Sequence, residues 1–174
     1  MTFEEVVRAR RTHKAYGAEP VPGAVLRELL DLARWAPNHH LTNPWRFRVL
    51  GPASTARLKA AADALDPGSG AKLDRAPTLV AVTSAVCGDD PVADEEDLLA
   101  TGCAAYLVLL AAEARGLASY WRTPAVMRDP GGLRALGADP GRERGVGLLH
   151  LGPRRQEMPP PERAPLDEVT TFLD

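Results

Sequence analysis

Apolar positions recur along the chain at two different periods, and the period decides the element. Phe3, Val6 and Val7 share one helical face, and Thr2 with Glu5 three residues on forms a capping-box pattern, so a first helix is predicted from residue 3 to about Arg10. Val25, Leu26, Leu29, Leu30 and Ala33 repeat at helical spacing behind Pro22 until Pro37 discourages continuation, which predicts a second helix. Trp45 to Leu50 reads as a strand, Ala56 to Leu65 as a third helix, and Leu79 to Thr83 as a buried strand bounded by Pro77. Acids at Asp94, Glu95, Glu96 and Asp97 suit the positive end of a long helix that reaches about Arg115 and is apolar almost all round. Gly116 ends it. Leu117 to Trp121 predicts another strand, Leu133 and Leu136 a short helix, and Gly147 to Leu151 a last strand. A long helix with so little polar face has to be enclosed, by the sheet and its neighbours or by a second subunit.

Residues 153–174 leave this pattern. Met158-Pro159-Pro160-Pro161 cannot donate ladder hydrogen bonds and reads as extended, carrying Leu166, Val169, Phe172 and Leu173 away from the main body. These apolar positions give an arm something to bury, so docking on a partner is expected over a free tail.

Length and composition narrow the picture. A chain of 174 residues suits one domain spanning 1–174, and 45% hydrophobic with 25% charged residues is the balance of an ordinary globular protein. A net charge of -2 gives no overall field for nucleic acid or an anionic membrane, so a small-molecule partner is expected, with no nucleic acid and no membrane. The N-terminus lacks a signal-like apolar run, and the apolar stretch Leu98 to Ala112 falls short of the roughly 18 to 20 residues a bilayer span needs. Cys87 and Cys103, with no CxxC spacing, read as two buried reduced thiols, and a cytoplasmic setting follows.

Common catalytic signatures are missing: HExxH, paired CxxC, GxSxG, a GK[ST] phosphate loop and GxGxxG. Three other segments could carry chemistry. Arg10-Arg11-Thr12-His13-Lys14 is either a favourable cation cluster at a helix C-terminus or a phosphate cradle, in which guanidinium forks and a hydroxyl meet phosphate oxygens. Asn38-His39-His40-Leu41-Thr42-Asn43 is a polar loop pinned by Pro37 and Pro44; its histidines lack the nearby carboxylate or thiolate that a metal would need, and its amides and imidazoles suit a heterocycle. Tyr120-Trp121-Arg122-Thr123-Pro124 ends a strand with an aromatic, a cation and a hydroxyl.

Taken in order, the RRT segment, APNHHLTNPWRF, the long helix ending Glu113-Ala114-Arg115-Gly116-Leu117, Trp121-Arg122-Thr123 and Gly147-Leu148-Leu149-His150-Leu151-Gly152 resemble the nitroreductase family, in its compact subgroup, from end to end. The resemblance implies an α+β nitroreductase-like fold, with a central mainly antiparallel mixed sheet flanked by helices, and an intertwined homodimer holding two FMN at its interface. It places Arg10, Arg11 and Thr12 on the flavin phosphate and ring edge, with Trp121, Arg122 and Thr123 completing the site. His39 and Asn43 lie in the loop that would face the cofactor from the other subunit. Ala111 to Gly116 matches a segment associated with the nicotinamide dinucleotide. Arg163 would supply a late basic residue for the phosphate, in competition with Arg154 and Arg155. Leu41 departs from the family, standing where larger members carry a flavin-binding Asn. The implied activity is FMN-dependent oxidation of NADH or NADPH with reduction of nitroaromatics, quinones or enones; the alternative is a flavin-storing or sensing dimer with little turnover. No side-chain nucleophile is required, in keeping with the missing signatures.

Overall fold

The computed structural model describes residues 1–173, so Asp174, the end of the expected arm, lies outside it. Five helices, α1 (Phe3–Ala9), α2 (Gly23–Ala33), α3 (Pro52–Leu65), α4 (Pro91–Ala114) and α5 (Pro130–Ala135), pack around four strands, β1 (Trp45–Val49), β2 (Thr78–Ala85), β3 (Leu117–Arg122) and β4 (Glu143–Pro153). The strands order as β1-β2-β4-β3 and every pair among them is antiparallel. The parallel component is a single bridge from Thr12 to Ser119 beside β3.

Alternation along the strands builds two cores. Val80, Val82, Leu149 and Leu151 face α2 and α4, whereas Leu79, Ala81, Leu148 and Ala118 face Leu58 and Ala62 of α3 together with Val126, Met127 and Leu136. Small residues let α4 lie close on the sheet: Ala104, Ala105, Val108 and Ala112 are wholly buried. The helix opens on Asp90, whose carboxylate accepts from Val92 N and Ala93 N, with Pro91 in the first turn, where a missing N–H costs nothing. At 24 residues it is longer than the apolar stretch alone suggested, long and apolar enough to cross a bilayer by length and composition, yet its inner face is the centre of the core.

Most predicted elements sit where the pattern put them, and the Thr2–Glu5 capping box forms in both directions. Two expectations are corrected. α3 begins at Pro52 and not Ala56, because Pro suits the first helical position and Ser54 Oγ accepts from Gly51 N at 2.9 Å. Cys87 and Cys103 are both exposed: one follows β2 in a turn, and the other lies on the outer face of α4. The C-terminal segment is tied down only near its root, and Leu166, Val169, Phe172 and Leu173 find no cover on their own chain.

Candidate functional site

After α1 the chain runs beside β3, with His13 N donating to Ser119 O at 3.0 Å and Gly17 N to Pro153 O at 2.9 Å. This course brings the first predicted segment to the end of β3. Arg10 and Thr12 line one concavity of about 270 Å³ with Trp121 and Thr123, joined by Tyr106 and Leu109 from α4. Arg10 Nε is buried with no hydrogen-bond partner among the described residues, and the guanidinium carbon lies 5.9 Å from the Tyr106 ring centre. A charged donor is thus held by a ring face with an unused N–H, beside two hydroxyls and an indole.

A bulge holds the indole. β2 pairs Val82 with Gly147 and Thr83 with Gly145, leaving Val146 as the extra residue of β4. Its carbonyl accepts from Trp121 Nε1 at 3.2 Å. Glycine at 147 is a close-approach requirement, since a Cβ there would meet Trp121 Nε1 at 2.1 Å. Across the ring, Gly102 of α4 stands where a Cβ would touch the Trp121 edge at 3.6 Å. Trp121 is therefore a fixed wall between β4 and α4.

Other predicted residues are placed elsewhere. Strand alternation turns Arg122 to the opposite face from Trp121 and Thr123, where it donates to Lys72 O and sits 5.9 Å from the Tyr120 ring centre. Arg11 is buried, its Nε donating to Pro159 O at 3.1 Å and its Nη1 to Arg10 O at 2.6 Å, so its guanidinium grips the arm. Arg163 is exposed in that arm and Arg155 is exposed at its root, neither of them lining the concavity. Arg154 is engaged: it donates to Glu113 at 2.6 Å and to Glu157 at 3.1 Å. Glu113 and the two alanines before it are buried, which closes the front of the Ala111–Gly116 segment to a ligand.

The loop bearing His39 and Asn43 stands apart from the concavity within one chain. Thr42 Oγ1 donates to Asp97 at 2.6 Å, tying the loop near the start of α4, whereas Tyr106 lies nine positions later. At about 1.5 Å per residue that is roughly 14 Å along the helix. The loop is wound tightly: His40, Leu41 and Asn43 have φ of 50°, 54° and 48°. For Leu41 this left-handed conformation costs roughly 1–2 kcal/mol. Asn43 N donates to Asn38 Oδ1 at 2.9 Å and Asn43 Nδ2 to Leu41 O at 2.6 Å, so the turn is held from inside while His39 and Leu41 face outward.

Charges around the site are paired with care. Burial would raise the Glu143 carboxyl, but hydrogen bonds from Arg48 and Thr83 and the nearby arginine charges outweigh it and hold the group below the usual carboxylate range. Burial also opposes ionisation of Arg154, and its hydrogen bond and charge attraction to Glu113 more than restore it. His13 is lowered by burial first and by the Arg154 charge second. His150, fully buried on β4 opposite Tyr120, is pushed down to about 4 by burial and then by Arg122 and Arg75.

Sequence reasoning missed Tyr106 and Leu109. They occupy adjacent positions of one helical face, and Tyr106 is the lone aromatic of α4, the signal that could have found them.

Comparison with known proteins follows the same outline. The family model described as "Nitroreductase family" matches residues 7–152. YdjA of Escherichia coli (strain K12), which carries an NAD(P)H nitroreductase name, is 31% identical over 146 residues, 78% of this chain and 79% of its own. YfhC of Bacillus subtilis, similarly named, is 44% identical over 45 residues, only 23% of its length. Among solved structures, a nitroreductase-like family protein from Bacillus cereus superposes with a TM-score of 0.88 at 24% identity, covering 100% of this chain and 97% of that one. A nitroreductase-named protein from Desulfovibrio desulfuricans, solved in complex with FMN, gives a TM-score of 0.81 at 26% identity, covering 99% of this chain and 96% of its own.

Proposed function

The chain belongs to the nitroreductase family, and from that membership we propose that it is an FMN-dependent NAD(P)H oxidoreductase, acting as a homodimer on small oxidised acceptors such as nitroaromatics, quinones or enones. The observation that carries the reading is the unused, buried Arg10 Nε at a concavity with the Thr12 and Thr123 hydroxyls and the Trp121 wall. Those donors fit an anionic phosphate joined to a flat polar ring. When bound, FMN would supply the two-electron exchange between a nicotinamide and an acceptor. Arg10 binds the anionic end through a charge-assisted hydrogen bond, Thr12 and Thr123 donate hydroxyls, and Trp121 fixes the plane of the site. Arg11 serves by pinning the arm, and Arg122, its side chain on the opposite face of β3, holds Lys72 O and not the ligand. His39, which faces outward, and Asn43, whose Nδ2 closes the turn on Leu41 O, come from the partner's loop, and the strained turn supports that reading.

The homodimer has its own support. Val92, Leu99, Cys103 and Tyr106 form an exposed stripe along α4, and Trp35, Phe3 and the arm residues Leu166, Phe172 and Leu173 add further uncovered apolar surface. Residues 153–174 act as the arm that reaches the partner, with Arg163 brought near its phosphate site.

Absorbance of the purified protein, followed by anaerobic titration with NADH and with NADPH, tests the reading: a yellow protein bleached by at least one nicotinamide is expected. A colourless protein with no FMN affinity overturns it. Leu41, exposed and strained where larger relatives carry an Asn, favours a second reading, a flavin-holding dimer with little turnover. Tight FMN binding without nicotinamide oxidation across nitroaromatics, quinones and enones would select that one.

A further inference from the structure

Trp121 has a second cavity against it. A hollow of about 680 Å³, larger than the Arg10 concavity, lies between the first half of α4, the start of β4 and α5, and Trp121 is the residue the two have in common. Its walls are apolar, formed by Leu98, Trp121 and Val146, and its lining also includes Leu99 of the exposed α4 stripe that the proposed dimer covers. Its rim carries Arg128 and Arg144, both exposed and neither in an ion pair among the described residues. Glu143, the acid in the same lining, does not neutralise them: Arg48 takes both of its carboxylate oxygens, at 2.6 and 2.7 Å, and Thr83 donates to it as well. The hollow therefore presents an aromatic side chain, aliphatic sides and two uncommitted guanidiniums.

We propose that this cavity binds a planar apolar carboxylate, its ring against Trp121 and its anionic group toward Arg128 and Arg144. Apolar walls alone would take neutral and anionic rings alike; the rim cations give the preference. The bulge at Val146 that fixes the indole for the Arg10 concavity also shapes this one, so a ligand here lies within one side chain of the first site. An electron-acceptor role for a carboxylate that also carries a nitro, quinone or enone group rests on the FMN reading; the binding does not.

Isothermal titration of the protein with and without added FMN, using 2-naphthoate and 2-naphthalenemethanol at low and high salt, tests the proposal with probes that cannot be reduced in place. The acid is expected to bind about tenfold more tightly than the alcohol, corresponding to about 1.4 kcal/mol, with the advantage shrinking as salt rises. The Arg128→Gln/Arg144→Gln variant, altered only at exposed side chains, is expected to lose the advantage and keep the alcohol's affinity. Equal affinity for the two probes, a naphthoate preference that survives in the variant, or no binding of either probe, as when another copy's arm fills the hollow, overturns it. Naphthoate preference in a protein that takes up no FMN would sink the flavin reading alone, and FMN uptake without the preference would sink this one alone.

Discussion

Trp121 lies against the bare backbone of Gly147, close enough that a Cβ on the glycine would sit 2.1 Å from the indole Nε1. The same Nε1 donates to the carbonyl of the bulged Val146 at 3.2 Å. The bulge, the glycine and the indole thus form one device. Gly147→Ala is expected to displace Trp121 and destabilise the protein by about 2–4 kcal/mol, with a red-shifted tryptophan emission. Unchanged emission and an unchanged denaturation midpoint would show that the ring does not depend on this contact.

Arg10 and Arg11 are neighbours with different occupations. Arg10→Ala is expected to weaken FMN binding about 10- to 100-fold, the loss of a charge-assisted hydrogen bond, with little change in thermal midpoint. Arg11→Ala is expected to leave binding closer to wild type while speeding tryptic cleavage after Arg155 and Arg163, because the arm loses its tie to Pro159 O. FMN titration and timed proteolysis separate the two. Equal loss of FMN in both variants would return Arg11 to the phosphate.

Glu113 and Arg154 form a largely buried pair at the root of the arm. Glu113→Gln strands the arginine charge and is expected to cost about 3 kcal/mol, or roughly 6–12 °C of melting temperature for a chain of this size. Combining it with Arg154→Met, which removes the stranded charge, is expected to recover much of the loss. A single variant as stable as wild type would mean that Glu157 and solvent suffice for Arg154.

His150 makes stability depend on acid. Its folded pKa of about 4 lies below the unfolded value of 6.5, so the unfolded chain binds the proton first. The contribution is whole above pH 6.5 and is lost as pH falls toward 4, on the order of 3 kcal/mol in all. His13, also depressed by burial, acts in the same direction. Denaturation midpoints measured from pH 7 to pH 4 should fall, and His150→Leu should flatten the slope. A slope unchanged in that variant would place the acid sensitivity elsewhere.

Cys87 and Cys103 report on the assembly. Both are exposed on the single chain, but Cys103 shares the α4 stripe with Leu99 and Tyr106. In a dimer built on that stripe, a thiol reagent is expected to label Cys87 quickly and Cys103 slowly, with Cys103 catching up on dilution to monomer. Equal rates at all concentrations would remove α4 from the interface.

How much of this was legible beforehand differs by scale. The elements were, because the helical spacing in α2, the short β-branched run of β2 behind Pro77 and the acid-led apolar run of α4 are local and survive without knowledge of neighbours. The helix start at Pro52 is legible as well, since Pro suits the first turn. The exposure of the two cysteines was not, since burial depends on which face of α4 meets the sheet.

By itself the sequence determined the strand and helix order, the capping at Thr2, and an ordered set of motifs specific enough to indicate the family. Tertiary structure alone decided how those motifs divide. Arg10 and Arg11, adjacent in the chain, part to a ligand concavity and an arm carbonyl; Trp121 and Arg122 part to opposite faces of one strand. The physical reason is that a backbone sends neighbouring side chains in different directions, while the groups that come to share a site, Arg10, Tyr106 and Trp121, are brought together by packing over distances along the chain that no local pattern encodes.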